Sequence, residues 1–165
     1  MSTDYIPTKA QRVMAVASFG GHLVQLLRIT RFLSDRAQVS YVTTSDQAVG
    51  MLPPKSEFMI VDDFSRWNPK IIPRSAKQMW KAISRFKPTI VVSTGAAPGL
   101  VALFVAYLRG KKTIWVDSMA NTQRLSMSGR IARRFATLTL TQWEHLADGV
   151  DVVWAGNVFT NKSLL

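Results

Sequence analysis

Residues Arg12 to His22 read Arg-Val-Met-Ala-Val-Ala-Ser-Phe-Gly-Gly-His, and this stretch decides the fold. The run up to Ser18 is almost continuously apolar, which is typical of a strand buried on both faces of a parallel sheet. Two glycines then make a turn, and the segment from His22 to Leu33 carries apolar residues at helical spacing. A buried strand, a glycine turn and a helix are typical of the first unit of a Rossmann-like sheet.

The alternation of apolar strands and helical segments continues along the chain. Further strands are predicted at residues 39–43, 58–61, 89–93, 112–117, 138–140 and 152–154, and helices at residues 74–87, 98–108 and 128–136. This order predicts an α/β fold with a Rossmann-like, doubly wound parallel sheet. The length of 165 residues suits one domain. We therefore expect a polar tail at residues 1–11 and a single domain at residues 12–165.

Composition and charge narrow the function. The chain has no cysteine, which excludes disulfides, thiolate metal sites and cysteine nucleophiles, and fits a reducing cytosol. The net charge is +11, and from Phe64 to Trp143 the only acid is Asp117, against fourteen lysines and arginines. Such a one-sided field attracts phosphates, nucleic acid or acidic lipid headgroups. The alternative is a basic surface that serves only solubility.

One segment is long enough to span a bilayer. Residues Pro88 to Leu108 are 21 consecutive residues without a charge. The sequence Ser93-Thr-Gly-Ala-Ala-Pro-Gly99 interrupts this segment, so a strand, a turn and a buried helix explain it better than a transmembrane span. The first eleven residues are polar, and we expect no signal peptide there.

The helix predicted at residues 74–87 is strongly amphipathic. One side is basic and is formed by Arg74, Lys77, Lys81 and Arg85. The opposite side is apolar and is formed by Ala76, Met79, Trp80, Ile83 and Phe86. The helix can pack on the sheet with a solvated basic side, and this side can also face anionic lipid. The two interpretations are compatible.

The turn after the first strand is the first candidate ligand site. Ligands of doubly wound sheets bind at the carboxyl ends of the strands, and Gly20 and Gly21 let the backbone come close to a ligand such as a phosphate. His22 lies in the first helical turn, where it can act as a general base or as a hydrogen-bond donor. Ser18 ends the strand. The turn is neither a dinucleotide fingerprint nor a Walker loop, and the alternative is a tight turn with a capping histidine.

Three more strand ends carry candidate residues. Thr94 and Gly95 follow the fourth strand in a loop of small residues, for which ordinary turn chemistry is the alternative. Asp117 ends the fifth strand, where it can form a structural ion pair or orient a sugar hydroxyl. The polar residues that follow it are Asn121, Arg124, Ser126 and Ser128. Gln142 and Trp143 follow the sixth strand, as a packing anchor or as a platform for a sugar or a partner domain.

In this order, the motifs resemble those of the bacterial exopolysaccharide glycosyltransferase subunits of the PssD type. They also resemble the eukaryotic relative of those proteins, the membrane-anchoring subunit of the two-chain enzyme that adds the second N-acetylglucosamine to dolichol diphosphate. The matching motifs are Ser18-Phe19-Gly20-Gly21-His22, Ser93-Thr94-Gly95-Ala96-Ala97-Pro98, Val116-Asp117-Ser118, Arg124-Leu125-Ser126-Met127-Ser128-Gly129, Gln142-Trp143 and Trp154-Ala155-Gly156.

The resemblance implies the N-terminal, acceptor-side half of a GT-B glycosyltransferase. A partner subunit would hold the UDP-sugar donor, and this chain would supply the polyprenyl-diphosphate-linked acceptor site and the membrane contact. His22 is then the candidate base and Asp117 a possible second carboxylate, and we expect no metal and no cofactor. Ser18, Gly20, Gly21, Thr94, Gly95, Asn121, Arg124 and Ser126 are the candidate acceptor or phosphate ligands, and Gln142 and Trp143 the candidate partner interface.

Two features depart from the relatives. Asp117 stands where many of them have glutamate, and the N-terminal membrane helix of the eukaryotic relatives is absent from this sequence. We therefore expect peripheral attachment to an anionic membrane, at the cytoplasmic face of the inner membrane. We also expect the chain to be inactive alone.

Two further functions are carried beside this one. The chain can serve only to anchor and activate its partner, without a catalytic residue. It can also be a basic nucleic-acid-binding domain, but its aromatic residues are not interleaved with the basic ones in any RNA-binding motif.

Overall fold

The computed structural model of the chain describes residues 11–33, 36–64 and 69–158. The strands are β1 (Gln11–Val16), β2 (Ala37–Thr43), β3 (Glu57–Ile60), β4 (Ile90–Ser93), β5 (Lys112–Val116), β6 (Leu138–Thr141) and β7 (Val152–Trp154). The α-helices are α1 (Gly21–Thr30), α2 (Ile72–Phe86), α3 (Ala96–Leu108) and α4 (Met127–Ala132). Short 3-10 turns are formed by Arg31–Leu33, Asp46–Met51, Pro69–Ile71 and Glu144–Leu146.

All seven predicted strands join one parallel sheet in the order β3-β2-β1-β4-β5-β6-β7. The chain moves outward from β1 to β3, then returns to the other side of β1 and continues outward to β7. The predicted Rossmann-like, doubly wound fold is confirmed. The direction of winding reverses between β1 and β4, and a crevice at the carboxyl ends of such a strand pair is where these sheets bind ligands. Val16 pairs with Ser93, so the two strands end level with each other.

The core lies on both faces of the sheet. Val13 and Ala15 of β1 contact Leu23 and Leu26 of α1 on one face. The alternating residues of β1 point to the other face, where α2 and α3 cover the sheet with the buried side chains of Met79, Ile83, Leu103 and Ala106. Full burial of each large aliphatic side chain stabilises the fold by about 1.5–3 kcal/mol.

Three predictions need correction. The helix predicted at residues 128–136 ends at Ala132 and continues only as a turn. The helix predicted from Pro98 begins at Ala96. Trp80 was expected on the apolar side of α2, but it is 53% exposed. The buried stripe of α2 is narrow, and Trp80 lies about 100° around the helix from Met79, outside that stripe.

The uncharged segment 88–108 forms β4, the following turn and α3. Within the described ranges, none of the helices combines the length and the apolar character needed to cross a bilayer. The predicted tail and domain bounds stay predictions, since residues 1–10 and 159–165 lie outside the described part of the chain.

Candidate active site

A cavity of about 420 Å³ lies at the carboxyl edge of the sheet, beside the point where the winding reverses. The loops that follow β1, β3, β4 and β5, together with the first turn of α4, supply its lining. The lining residues are His22, Phe64, Gly95, Ala96, Ala97, Asp117, Ser118, Ala120, Asn121, Ser126, Met127 and Ser128. Several predicted site residues from three separate motifs therefore share one cavity.

His22 is held in a defined orientation. Gly20, with φ of 106°, directs the chain from β1 into α1, and His22 follows in the first helical turn. The Nδ1 atom of His22 lies 3.0 Å from the carbonyl oxygen of Thr94. A carbonyl oxygen only accepts hydrogen bonds, so Nδ1 donates, and the neutral ring has its lone pair on Nε2. This arrangement gives the cavity a nitrogen that can accept a proton.

Thr94 makes a second bond to the same residue. Its hydroxyl donates to the carbonyl oxygen of His22 at 2.7 Å, and its side chain is fully buried. This hydroxyl therefore fastens the loop after β4 to the first turn of α1. The predicted contact of Thr94 with an acceptor phosphate stays a prediction, and the observed bonds identify Thr94 as a residue that positions His22.

Gly95 permits the close approach of these two loops. Its φ of 147° is a conformation that residues with a side chain rarely adopt. A Cβ atom built on Gly95 would overlap the imidazole ring of His22. The ring therefore packs directly on the Gly95 backbone, and this contact requires glycine at position 95. The two motifs, considered separately, did not reveal this requirement.

Asp117 is 1% exposed, and its carboxylate accepts hydrogen bonds from neutral groups. The donors are the Trp115 indole at 3.0 Å, the Ser126 backbone N–H at 2.8 Å and hydroxyl at 2.5 Å, and the Asn121 amide at 3.4 Å. These bonds close the loop from β5 to α4 around one carboxylate. The predicted catalytic role of Asp117 stays a prediction; its observed contacts are those of a residue that organises a loop.

Two residues to which the sequence analysis assigned no role, Trp115 and Gly129, support this carboxylate. Trp115 precedes Asp117 by two residues, and alternate residues along an extended segment share a side, so this pair could have been recognised from the spacing. Gly129 packs over the pair: an added Cβ would lie 2.7 Å from Asp117 Oδ1 and 2.9 Å from Trp115 Nε1. Phe64 and Met127 also line the cavity; Met127 lies within the quoted motif without an assigned role, and no spacing rule identifies Phe64.

The remaining candidate ligands lie around the cavity. Ser18 is buried at the end of β1, and Gly20 and Gly21 form the turn before His22, but none of the three is part of the lining. Arg124 is exposed and also outside the lining. Direct binding of the acceptor by these four residues stays a prediction.

Gln142 and Trp143 stabilise neighbouring loops. Gln142 is buried, and its Oε1 accepts from the Val158 N–H at 3.0 Å. Trp143 is half-buried, and its indole donates to the Met119 carbonyl at 2.9 Å, in the loop that lines the cavity. Trp143 is therefore exposed enough to contact a partner, whereas the buried Gln142 could only stabilise the loops that carry such an interface.

The predicted basic side of α2 is exposed along its length. Its first member, Arg74, forms an ion pair with Asp62 at 2.5 Å, so part of its charge is compensated. Within residues 11–33, 36–64 and 69–158, no three histidine, aspartate or glutamate side chains are grouped to hold a metal ion.

Comparison with known proteins identifies the family. The profile of the family described as "Oligosaccharide biosynthesis protein Alg14 like" matches residues 70–158. The UDP-N-acetylglucosamine transferase subunit ALG14 of Yarrowia lipolytica is 27% identical over 163 residues, which cover 83% of this chain and 76% of that protein. The subunit of the same name from Eremothecium gossypii is 35% identical over 86 residues, covering 45% of this chain and 38% of that protein.

Solved structures agree on the fold. The MurG structure of Acinetobacter baumannii superposes with a TM-score of 0.74 at 16% identity, covering 87% of this chain and 45% of the MurG chain. The chain thus spans less than half of the length of that chain. Since the family profile covers more than half of the present sequence, the chain belongs to the Alg14-like family of oligosaccharide biosynthesis proteins.

Proposed function

We propose that the chain is the acceptor-side subunit of a split GT-B glycosyltransferase. It would take part in the transfer of a sugar from a UDP-sugar to a polyprenyl-diphosphate-linked acceptor in polysaccharide biosynthesis, of the PssD type. The observation that carries the proposal is the cavity at the carboxyl edge of the sheet, beside the ends of β1 and β4, in which His22 is oriented by the Thr94 carbonyl. The names of the relatives, which are UDP-N-acetylglucosamine transferase subunits, support the reaction class.

His22 has the chemistry that this reaction needs. In the proposed step, Nε2 takes the proton of the acceptor hydroxyl while the hydroxyl oxygen bonds to the anomeric carbon of the donor sugar. The bond between that carbon and the nucleotide diphosphate breaks, and the diphosphate leaves with the bonding electrons. A general base of this kind contributes about 10²–10⁴-fold to a rate. The 3.0 Å bond to the Thr94 carbonyl fixes both the orientation of the ring and its tautomer. Catalytic bases are commonly oriented by such a second hydrogen-bonding group.

The surrounding backbone suits a diphosphate. The helices α1 and α3 both begin at this edge of the sheet, so their N-terminal N–H groups face the region of the cavity. Helix N-termini favour anions through their unpaired N–H groups and their dipoles. Asp117 would act indirectly, because it holds Ser126 and Asn121 in the cavity wall.

The donor would be bound mainly by a partner subunit. A GT-B active site lies between two Rossmann-like domains, and the described residues form one such sheet. The half-buried Trp143 is the proposed contact for that partner. The exposed cations of α2 and the proposed lipid-linked acceptor support a place at the cytoplasmic face of the inner membrane, with peripheral attachment.

The experiment is a reconstitution. The chain is assayed with candidate UDP-sugars and a short-chain polyprenyl-diphosphate-linked sugar, with and without the sugar-nucleotide-binding subunit. We expect turnover only with both subunits. Robust turnover by the chain alone would contradict the split-enzyme proposal.

A second candidate function is a subunit that only recruits and activates the partner. The saturation of the Asp117 carboxylate by Trp115 and Ser126 favours this alternative, because it withdraws one of the two expected catalytic residues from the reaction. Substitution of His22 separates the two functions, as described in the Discussion.

A further inference from the structure

The outer side of α3 is apolar and exposed. All thirteen residues of this helix are uncharged. Its inner side packs into the core through Ala102, Leu103 and Ala106, as a helix on a sheet should. Its outer side presents Phe104, Tyr107 and Leu108, which are 48%, 49% and 64% exposed. A helix that is apolar all round is normally covered on both sides, so the outer side of α3 calls for a covering layer.

Neighbouring elements extend this surface. Phe135 packs edge-on against Phe104, with ring centroids 5.5 Å apart, and lies 5.6 Å from Tyr107. Met127 and Ile131, four residues apart on α4, are both 43% exposed. On the other flank, the Arg109 guanidinium stacks on the exposed Trp80 ring at 4.5 Å. We call these side chains the α3–α4 apolar face: Trp80, Phe104, Tyr107, Leu108, Met127, Ile131 and Phe135.

The rim of the apolar face is basic. Lysines and arginines lie on the elements that form it or directly follow them, and Arg109 contacts the Trp80 ring: Lys77, Lys81, Arg85, Arg109, Lys111, Lys112, Arg130 and Arg134. The only acid between Phe64 and Trp143 is Asp117, which is buried. A surface of aliphatic and aromatic side chains within a rim of cations is complementary to anionic headgroups above acyl chains.

The composition favours lipid over a protein partner. Tyrosine and tryptophan are enriched where one end of the ring is apolar and the other is wet, as at the surface of a bilayer. Aromatic residues, methionine and arginine are also common at protein–protein interfaces, whereas lysine is depleted there, so the lysines among the cations are the feature that favours lipid. Long lysine and arginine side chains can also lie along an apolar surface while their charges reach the headgroups.

We infer that the α3–α4 apolar face inserts into the headgroup–acyl boundary of an anionic bilayer. The cations of α2, which the sequence pattern alone placed against the membrane, then form one edge of the contact, and α3 forms its inserted centre. Both α3 and α4 begin at the cavity, where Ala96, Ala97 and Met127 line the wall. If the proposed function holds, a lipid-linked diphosphate could reach the cavity while its chain stays in the bilayer.

Insertion can be measured without any assay of activity. The chain lacks cysteine, so a single cysteine can be introduced and labelled with a polarity-sensitive fluorophore. Leu108→Cys reports the apolar face, and Val49→Cys is the matched control. Val49 is 40% exposed in the turn Asp46–Met51, whose Ala48 packs on the opposite, α1 side of the sheet. Vesicles of phosphatidylcholine with or without phosphatidylglycerol carry nitroxide quenchers on their acyl chains.

We expect quenching of the Leu108 label on anionic vesicles and none of the Val49 label. Leu108→Ser together with Phe104→Ser should weaken vesicle binding at least about tenfold, since each loses much of its apolar contact. The exposed Phe32 supplies the control: the Phe32→Ser variant should bind vesicles normally.

Vesicle binding without quenching at Leu108, equal quenching at both positions, or no vesicle binding would overturn the inference. So would a self-associating chain that the serine variants convert to monomers. A failure of sugar transfer with intact insertion would instead count against the proposed function.

Discussion

His22 and Thr94 bind each other twice. The His22 ring donates through Nδ1 to the Thr94 carbonyl at 3.0 Å, and the Thr94 hydroxyl donates to the His22 carbonyl at 2.7 Å. The pair joins the loops that follow β1 and β4, at the point where the sheet reverses its winding. The imidazole orientation therefore depends on the alignment of β1 and β4, whose carboxyl ends lead into the two residues.

Removal of the His22 ring should stop the reaction and spare the fold. We expect His22→Ala to lower the turnover of the reconstituted complex by about a hundredfold or more, which is the usual loss of a general base. The half-buried ring contributes little to either core, so thermal melting should change little. His145→Ala is the control, because this exposed histidine bonds to the Thr122 carbonyl outside the cavity lining. A folded His22→Ala complex with normal turnover would favour the recruiting-subunit alternative.

Gly95→Ala should displace His22 without removing it. Gly95 has φ of 147° and ψ of −174°, a backbone region that is essentially restricted to glycine, so an alanine there costs about 1–3 kcal/mol, and its Cβ would also overlap the imidazole ring. Gly110→Ala is a matched control, because Gly110 also has a positive φ, of 65°, but an added Cβ meets nothing within 4 Å. We expect both variants to melt earlier, and only Gly95→Ala to lose turnover per folded complex. An equal loss of turnover in both would mean that strain alone explains the effect.

Asp117→Asn distinguishes a loop-organising carboxylate from a catalytic one. The amide group of asparagine replaces one of the two carboxylate oxygens by NH2, which would face either the Trp115 indole N–H on the Oδ1 side or the Ser126 backbone N–H on the Oδ2 side, and both of these groups are donors. A buried donor without an acceptor costs about 1–3 kcal/mol, and each kcal/mol lowers Tm by about 2–4 °C at this chain length. We therefore expect a clear fall in Tm by calorimetry. Asp63→Asn, at an exposed position, should melt normally. An unchanged Tm with lost turnover would make Asp117 catalytic.

Acid should weaken the turn before β7. Asp148 accepts the backbone N–H groups of Val152, Val150 and Asp151, and these bonds, with that of Val152 first, hold the pKa of its carboxyl below the ordinary value. A lowered folded-state pKa contributes stability that is present above the unfolded-state pKa and is lost as the pH falls through the folded-state pKa.

The test compares the chain with Asp148→Asn, which keeps the shape and cannot ionise. At neutral pH, we expect the variant to melt at a lower temperature. The difference in Tm should shrink as the pH falls below about 4, where the unfolded-state carboxyl becomes protonated. A difference that stays constant through the acid range would contradict the assignment of the pH dependence to Asp148.

The sequence was sufficient for the strands and for the sheet class, because apolar runs buried on both faces leave an unambiguous pattern. It was also sufficient to place His22, Gly95 and Asp117 at strand ends. It did not reveal that Gly95 lies under the His22 ring, because that contact depends on the register of Val16 opposite Ser93. The sequence also did not reveal that the Asp117 carboxylate accepts hydrogen bonds from neutral donors, because a single acid in a basic segment is equally consistent with an ion pair to a lysine or arginine.

Trp80 marks another limit of pattern reasoning. The apolar character of Trp80 led us to expect it on the buried side of α2. A hydrophobic stripe shows which side chains are suited to burial, but it does not show how wide a part of the helix the sheet covers. Arg109, which stacks on the Trp80 ring, follows α3, so the sequence of α2 alone could not predict this contact.

The two bonds between His22 and Thr94 join residues 72 positions apart in the chain. Closure of so long a loop is slow compared with local structure, because its entropy is lost before the contact forms. During folding, α1 can therefore form while the imidazole still rotates freely, and the ring becomes fixed only when β4 has paired with β1. Amide hydrogens in the His22 turn should then acquire protection from exchange together with those of β4, later than the amides in the middle of α1.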